Sequence, residues 1–213
     1  MRNEIYNIDC MSFMKDMDQK EKKVTHIITD IPYDVVNRES AGIRVFDKEN
    51  ADELSFDLSE FCLLINSIVE ENVVIFCATE QLTSLSNTLD ALGFHTSIGI
   101  WEKNNPSPVN GQFMWLSGVE CFVIASKNKP LSKEMRNLIV RTPSGKSKQH
   151  KTEKPVTLLK QIIEYVSKEG DLIYDPCFGS ASTLVAAKEL NRYFIGTEVF
   201  NEYFQIGIER LYG

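Results

Sequence analysis

The sequence predicts an α/β fold: a largely parallel sheet covered by helices on both faces. Three observations predict it. Seven strand-like segments alternate with helical patterns along 213 residues, as parallel β-α-β units require. Several helical patterns carry their own start and stop signals. Finally, the run THIIT ahead of Asp30 reads as a buried strand.

The elements follow in order. Glu4–Ile8 and Thr25–Asp30 are the first two strands. Leu58–Glu71 has apolar residues at 58, 61, 64, 65 and 68, the spacing of one helix face. The strand Asn72–Ala78 comes next. The helix Glu80–Leu92 stops at Gly93, a C-cap residue. Only a loop, Asn104 to Gly118, joins the strands Ser97–Lys103 and Val119–Lys127, so these two are expected to form one antiparallel hairpin at the sheet edge. Pro155–Lys168 has a proline in its first turn and ends before Gly170. Leu172–Asp175, Ser180–Asn191, Tyr193–Val199 and Asn201–Tyr212 complete the series. The length suits a single domain, 1–213, without internal repeats. Residues 128–153 are polar and basic and read as an excursion from that domain.

Composition excludes several classes. Hydrophobic content is 43% and charged content 25%, ordinary for a soluble globular chain. No apolar run approaches the roughly 20 residues of a membrane span. The opening Met1-Arg2-Asn3-Glu4 leads into a strand, so no signal peptide is expected. The five cysteines, at 10, 62, 77, 121 and 177, form no CxxC pair and no Cys/His cluster. Reduced thiols, a cytoplasmic location and no metal are the expectations. His26, His95 and His150 lack relay spacing, and His26 reads as a satisfied core histidine. Net charge is −7, yet residues 127–154 hold nine Lys/Arg and two acids, leaving about −14 on the remainder. That stretch is either a polyanion-facing surface or a solvated lysine-rich loop.

The chemistry concentrates at strand ends. In GDLIYDPCFGSASTLVAAKEL, residues 170–190, a strand ends at Asp175-Pro176. The small-residue turn Gly179-Ser180-Ala181-Ser182 follows, then a helix. Small residues admit a ligand close to the backbone, and a helix start offers free N–H groups. With only Gly179 present, this is not the GxGxxG fingerprint. Some twenty residues on, YFIGTEV places Glu198 at the next strand end, where an acid suits the two hydroxyls of a ribose. A generic strand-turn-helix with a solvent-facing acid is the other reading. Asp9 ends the first strand, where a carboxylate can accept from an adenine amino group. In THIITDIPYD a strand ends by presenting an acid, a proline and an aromatic ring.

Together these residues resemble the beta-class amino-methyltransferases of DNA. The tetrapeptide Asp30-Ile31-Pro32-Tyr33 matches that family's catalytic motif of Asp, Asn or Ser, two prolines and an aromatic. DPCFGSA matches its cofactor turn, and HKTEKPVTLLKQII the helix preceding that turn. The hairpin region from Trp101 to Lys127 is also family-like. The resemblance implies a Rossmann-like seven-stranded methyltransferase sheet. The sheet is circularly permuted, since Asp30 precedes Asp175 by 145 positions. Those two strands should nevertheless lie side by side at the sheet's switch point. The implied cofactor is S-adenosylmethionine, held by Asp9, Cys10, Thr152, Lys154, Pro155, Asp175, Phe178, Gly179, Ser180, Ala181 and Glu198. The implied partner is double-stranded DNA, with Lys146, Lys148 and Lys151 on its phosphates. The short recognition region implies a short target sequence or help from a second subunit, as in a homodimer. A restriction-modification setting goes with the family.

The resemblance assigns roles within the tetrapeptide. An exocyclic amine is a poor nucleophile because its lone pair is delocalised into the ring. The Asp30 carboxylate and the carbonyl of residue 31 can each accept one of its N–H bonds and localise that pair. Because that second role belongs to the main chain, Ile31 can replace the family's first proline, and Pro32 keeps residue 31 extended. Tyr33 offers a face for an extruded base. An acid in first position tilts the family toward N6 of adenine. The alternatives are N4 of cytosine, an RNA or protein amide substrate, and a silent binding module.

Overall fold

A computed structural model describes residues 2–33, 54–105, 118–128, 139–144 and 153–213. The described elements are, in order, β1 (Glu4–Asn7), α1 (Cys10–Gln19), β2 (Val24–Asp30), α2 (Leu58–Ile68), β3 (Val69–Cys77), α3 (Leu82–Ala91), β4 (His95–Lys103), β5 (Val119–Ser126), β6 (Ile139–Thr142), α4 (Val156–Val166), β7 (Leu172–Asp175), α5 (Ser182–Glu189), β8 (Tyr193–Glu198) and α6 (Asn201–Tyr212).

The strands form one sheet of eight in the order β1-β8-β7-β2-β3-β5-β4-β6. β1, β8, β7, β2 and β3 run parallel. β5 is antiparallel to both β3 and β4, which is the expected hairpin. Beyond it, β6 pairs parallel with β4 and is the outermost strand. Successive residues of each strand face opposite sides, and each side has its own core. Ile27, Val73, Ile75, Val123 and Tyr174 pack with α1, α2 and α3. Ile28, Val74, Phe122, Ile124, Ile173 and Phe194 pack with α4 and α5 and with Leu211 of α6. This two-sided burial is why the central strands are apolar at nearly every position.

Three elements differ from the sequence expectation. Helix α1 was not foreseen, although its buried residues Cys10, Met11, Phe13, Met14 and Met17 have helical spacing. β6 lies inside the basic stretch, where four residues give too short a signal. α2 ends at Ile68 and β3 begins at once at Val69. Strand pairing thus claims three residues that had been assigned to the helix. Residues 106–117 of the hairpin loop, and 129–138 and 145–152 of the basic excursion, lie outside the described residues.

His26 is a satisfied core histidine, as expected. It is fully buried, with Nε2 3.0 Å from Asp171 Oδ2 and Nδ1 3.3 Å from Asn72 Nδ2. Burial holds its pKa below the usual imidazole value, against the pull of Asp171.

The register places the site. β2 and β7 are neighbours, with Ile27 opposite Tyr174. Asp175 therefore stands level with Ile28, and Asp30 projects about 6–7 Å farther along the strand direction. Both carboxylates leave the sheet at its carboxyl end. There the chain departs to opposite faces, α5 on one side and α2 on the other, so this is the switch point that favours ligands in open α/β sheets.

Candidate active site

Asp30 is the last residue of β2, paired with Phe76 of β3. The Ile31 amide continues that ladder, donating to the Phe76 carbonyl at 3.2 Å, and the Ile31 side chain is only 1% exposed. An isoleucine at this point therefore fills core space while its peptide stays registered on β3. Gln81 secures the next residue. Its Nε2 donates to the Pro32 carbonyl at 3.2 Å, and its Oε1 accepts from Ala78 N at 2.9 Å. The tetrapeptide is thus stapled to the turn between β3 and α3.

Both carboxylate oxygens of Asp30 are engaged. Oδ1 accepts from the Tyr33 hydroxyl at 3.0 Å, and Oδ2 lies 2.6 Å from Lys154 Nζ. Lys154 also donates to the Tyr33 oxygen at 3.1 Å and lies over the Tyr33 and Phe76 rings. Glu120, near the start of β5, brings its Oε2 to 3.2 Å from the same ammonium. Its Oε1 is 2.6 Å from Lys103 Nζ. Burial raises the pKa of Asp30, with Lys154 opposing. Burial disfavours the Lys154 charge, but Asp30, Tyr33 and Glu120 hold its pKa well above the ordinary lysine value. The phenol of Tyr33 is raised by burial and by the adjoining Asp30 charge.

The turn after β7 is organised by the main chain. Asp175 Oδ1 accepts from Cys177 N at 3.1 Å. Burial pushes the Asp175 carboxyl up to about 7, hydrogen bonds pull it back, and the Asp30 charge adds to the rise. Phe178 is buried, and its amide donates to the Thr197 carbonyl at 3.2 Å. Gly196 makes room for it, since a Cβ there would lie 2.7 Å from the Phe178 ring and 2.5 Å from Leu184. Gly179 and Ala181 both have left-handed backbone, with φ of +50° and +64°. Glu198 ends β8 and spans the turn: Oε2 accepts from Gly179 N at 3.0 Å and Oε1 from Phe200 N at 2.9 Å. Each oxygen retains a lone pair, the capacity a ribose diol needs. From α6, Arg210 Nη1 donates to the Ser180 carbonyl at 2.6 Å and pairs with Glu153 Oε1 at 2.8 Å. Ser182 Oγ bonds the same Glu153 oxygen at 3.0 Å.

The remaining expected site residues fall as follows. Asp9 caps α1, its Oδ1 accepting from Ser12 N at 2.8 Å, beside the β1–β8 pairing. Cys10 is buried against Cys177, whose thiol is pushed well up by that contact and by burial. Pro155 occupies the N-cap of α4 in place of its first turn, and its carbonyl accepts from Leu158 and Leu159. Lys154, expected at the cofactor, donates to the Asp30 carboxylate at 2.6 Å. Thr152, Lys146, Lys148 and Lys151 lie outside the described residues. Sequence reasoning missed Glu120, Lys103, Gln81 and Arg210. A lone acid in the otherwise apolar strand VECFVIAS was the available signal for Glu120. Among the described residues no group of three or more His, Cys, Asp or Glu could hold a metal ion. No described helix is long and apolar enough to cross a membrane.

Comparison with known proteins agrees with this geometry. The chain is 28% identical to the type II methyltransferase M2.DpnII of Streptococcus pneumoniae, over 95% of this chain and 87% of that protein. A 74-residue stretch is 46% identical to the type II methyltransferase M.HindIII of Haemophilus influenzae, and spans only 24% of that longer protein. The solved structure of M1.HpyAVI in complex with SAM superposes with a TM-score of 0.78 at 30% identity, over 99% of both chains. The family profile for DNA methylases of the N6/N4 type matches residues 24–209, so the chain belongs to the N6/N4 DNA methylase family.

Proposed function

We propose that this chain transfers a methyl group from S-adenosylmethionine to the N6 amine of adenine in DNA. The observation that carries the reading is the position of Asp30, an acid at the end of β2 beside the β7 turn. The turn suits the cofactor. Gly179 and Ala181 bend its backbone, and Glu198 spans the bend with two acceptor oxygens. When bound, S-adenosylmethionine supplies an electrophilic methyl group on a positively charged sulfur.

The chain's own residues then prepare the nucleophile. Asp30 accepts one N–H of the extruded adenine, and the carbonyl of Ile31 accepts the other. The nitrogen lone pair, withdrawn from the ring, points at the methyl carbon. Transfer would leave the C–S pair on sulfur, and the alkylated nitrogen would lose its surplus proton to the Asp30 carboxylate, which already accepts that N–H. Tyr33 stacks on the base, and placement of the two reactants side by side supplies much of the rate. Lys146, Lys148 and Lys151 contact DNA phosphates, which makes binding salt-sensitive. The acid at position 30 favours adenine over cytosine. The test is incubation of the protein with labelled cofactor and duplex DNA, followed by mass spectrometry of the nucleosides. N6-methyladenine is expected. N4-methylcytosine would keep the machinery and reverse the base assignment, and label in RNA or protein alone would overturn the reading.

A further inference from the structure

We propose that Glu120 is a positioning residue for Asp30, acting through Lys154, which it shares with the catalytic carboxylate. The inference rests on the methyl-transfer reading above and extends the site to residues that no motif marks.

Four segments meet here: the end of β4, the start of β5, the end of β2 and the residues entering α4. They deliver an alternating row of charge. Lys103 Nζ is 2.6 Å from Glu120 Oε1, Glu120 Oε2 is 3.2 Å from Lys154 Nζ, and Lys154 Nζ is 2.6 Å from Asp30 Oδ2. A buried ammonium and carboxylate could neutralise each other without help, so two further charges call for a physical role. An ammonium has three N–H donors. Lys154, 8% exposed, donates to Asp30 and to the Tyr33 oxygen and forms an ion pair with Glu120. Two hydrogen bonds and one charge contact therefore hold its direction. That fixes Asp30 Oδ2 and leaves the Oδ1 side, held by the Tyr33 hydroxyl, to meet the amine.

Glu120 also adjusts how strongly Lys154 draws on Asp30. An undivided lysine charge would make Asp30 a poor acceptor, because a carboxylate fully paired with a cation shares less density with an incoming N–H. Glu120 divides that charge, and Lys154 and Lys103 together hold the Glu120 pKa below the usual carboxylate value against burial. The charged and titratable groups facing Asp30 from the surrounding elements are Lys154, Glu120, Tyr33, Asp175 of β7 and Cys77 of β3. Among them Glu120 is the one that meets Lys154 without touching Asp30, so its removal shifts the balance through the lysine.

The test compares the wild-type chain with Glu120→Gln and Lys103→Met. Asp30 is titrated by carboxyl 13C NMR, assigned with Asp30→Asn, and kcat is measured against pH at saturating cofactor and duplex. In Glu120→Gln, kcat is expected to fall about 10–100-fold, the range for groups that orient a reacting residue, with unchanged cofactor affinity. Its acid limb and the Asp30 titration should both move to lower pH. Lys103→Met should move both to higher pH, since Glu120 then acts uncompensated. Glu120→Asp should restore the wild-type limb. Unmoved limbs in both variants overturn the proposal, as does a lower melting temperature with normal kcat. Loss of cofactor affinity with normal kcat also overturns it. If wild-type protein methylates no DNA while the Asp30 titration moves as stated, the DNA reading fails and the coupling stands.

Discussion

The carboxyl ends of β2 and β7, neighbours in the sheet, are built by different means. At the end of β2 the arrangement is made by side chains: Asp30, Tyr33, Lys154 and Glu120 hold one another by charge. At the end of β7 it is made by the backbone: left-handed Gly179 and Ala181, and amides that point at Glu198 and Asp175. The difference suits the two tasks proposed for them. A nucleophile must be tuned electronically, and ionised groups do that. A neutral sugar must be fitted, and main-chain curvature with one acid does that. The two halves should therefore fail in different ways.

The largest expected effect breaks the first half. Asp30→Asn should lower methyl transfer by about 10²–10⁴-fold, the range for a positioned acid-base group, while calorimetry finds cofactor affinity unchanged. Retained turnover would remove Asp30 from the chemistry. The second half breaks in the opposite sense. Glu198→Ala should weaken cofactor binding by about 1.5–3 kcal/mol, as expected for bonds to a charged acceptor, with kcat at saturation preserved. An unchanged dissociation constant would move the ribose site elsewhere.

A pH experiment sharpens the contrast. Asp175 is raised from 3.8 to about 7 in the folded chain, so the folded state holds its proton more tightly than the unfolded one. Its contribution is fully favourable below pH 4 and is lost as pH rises toward 7, a change on the order of a few kcal/mol. His26, on the neighbouring strand opposite Ile173, has the opposite sign. Its folded pKa is lowered, so stability falls as pH drops below 6.5. Denaturant melts of Asp175→Asn, without cofactor, should show a smaller loss between pH 5 and pH 8 than wild type. The smallest effect concerns Ala181. Replacing it with glycine relieves a left-handed alanine, about 1 kcal/mol, and loses one buried methyl of similar worth. Stability should stay within about 1 kcal/mol in thermal unfolding, with cofactor affinity unchanged.

What could be read in the sequence follows the same division. Asp30, the β7 turn and Glu198 were legible because each combines a strand end with residue types unusual there. The sheet was legible because alternation and capping are local. Glu120 and Lys103 were not, because their meaning depends on β4–β5 register, where Glu120 faces Trp101. Lys154 was assigned by its neighbours in sequence, and its true neighbour, Asp30, is 124 residues away. Asp9 was read as a ligand group and so concealed the helix it caps.

The pairing of β1 with β8 sets a schedule for the chain. Glu4 pairs with Ile195, so β1 leaves the ribosome about 190 residues ahead of its partner. At about 5–20 residues per second, β1 waits roughly 10–40 s for that partner. During that interval Asp30 and β3 can already be in place, while the strand that carries Glu198 does not yet exist. The nascent chain would hold the strand that ends in Asp30 before the strand that ends in Glu198, and joins the two only once β8 has been made.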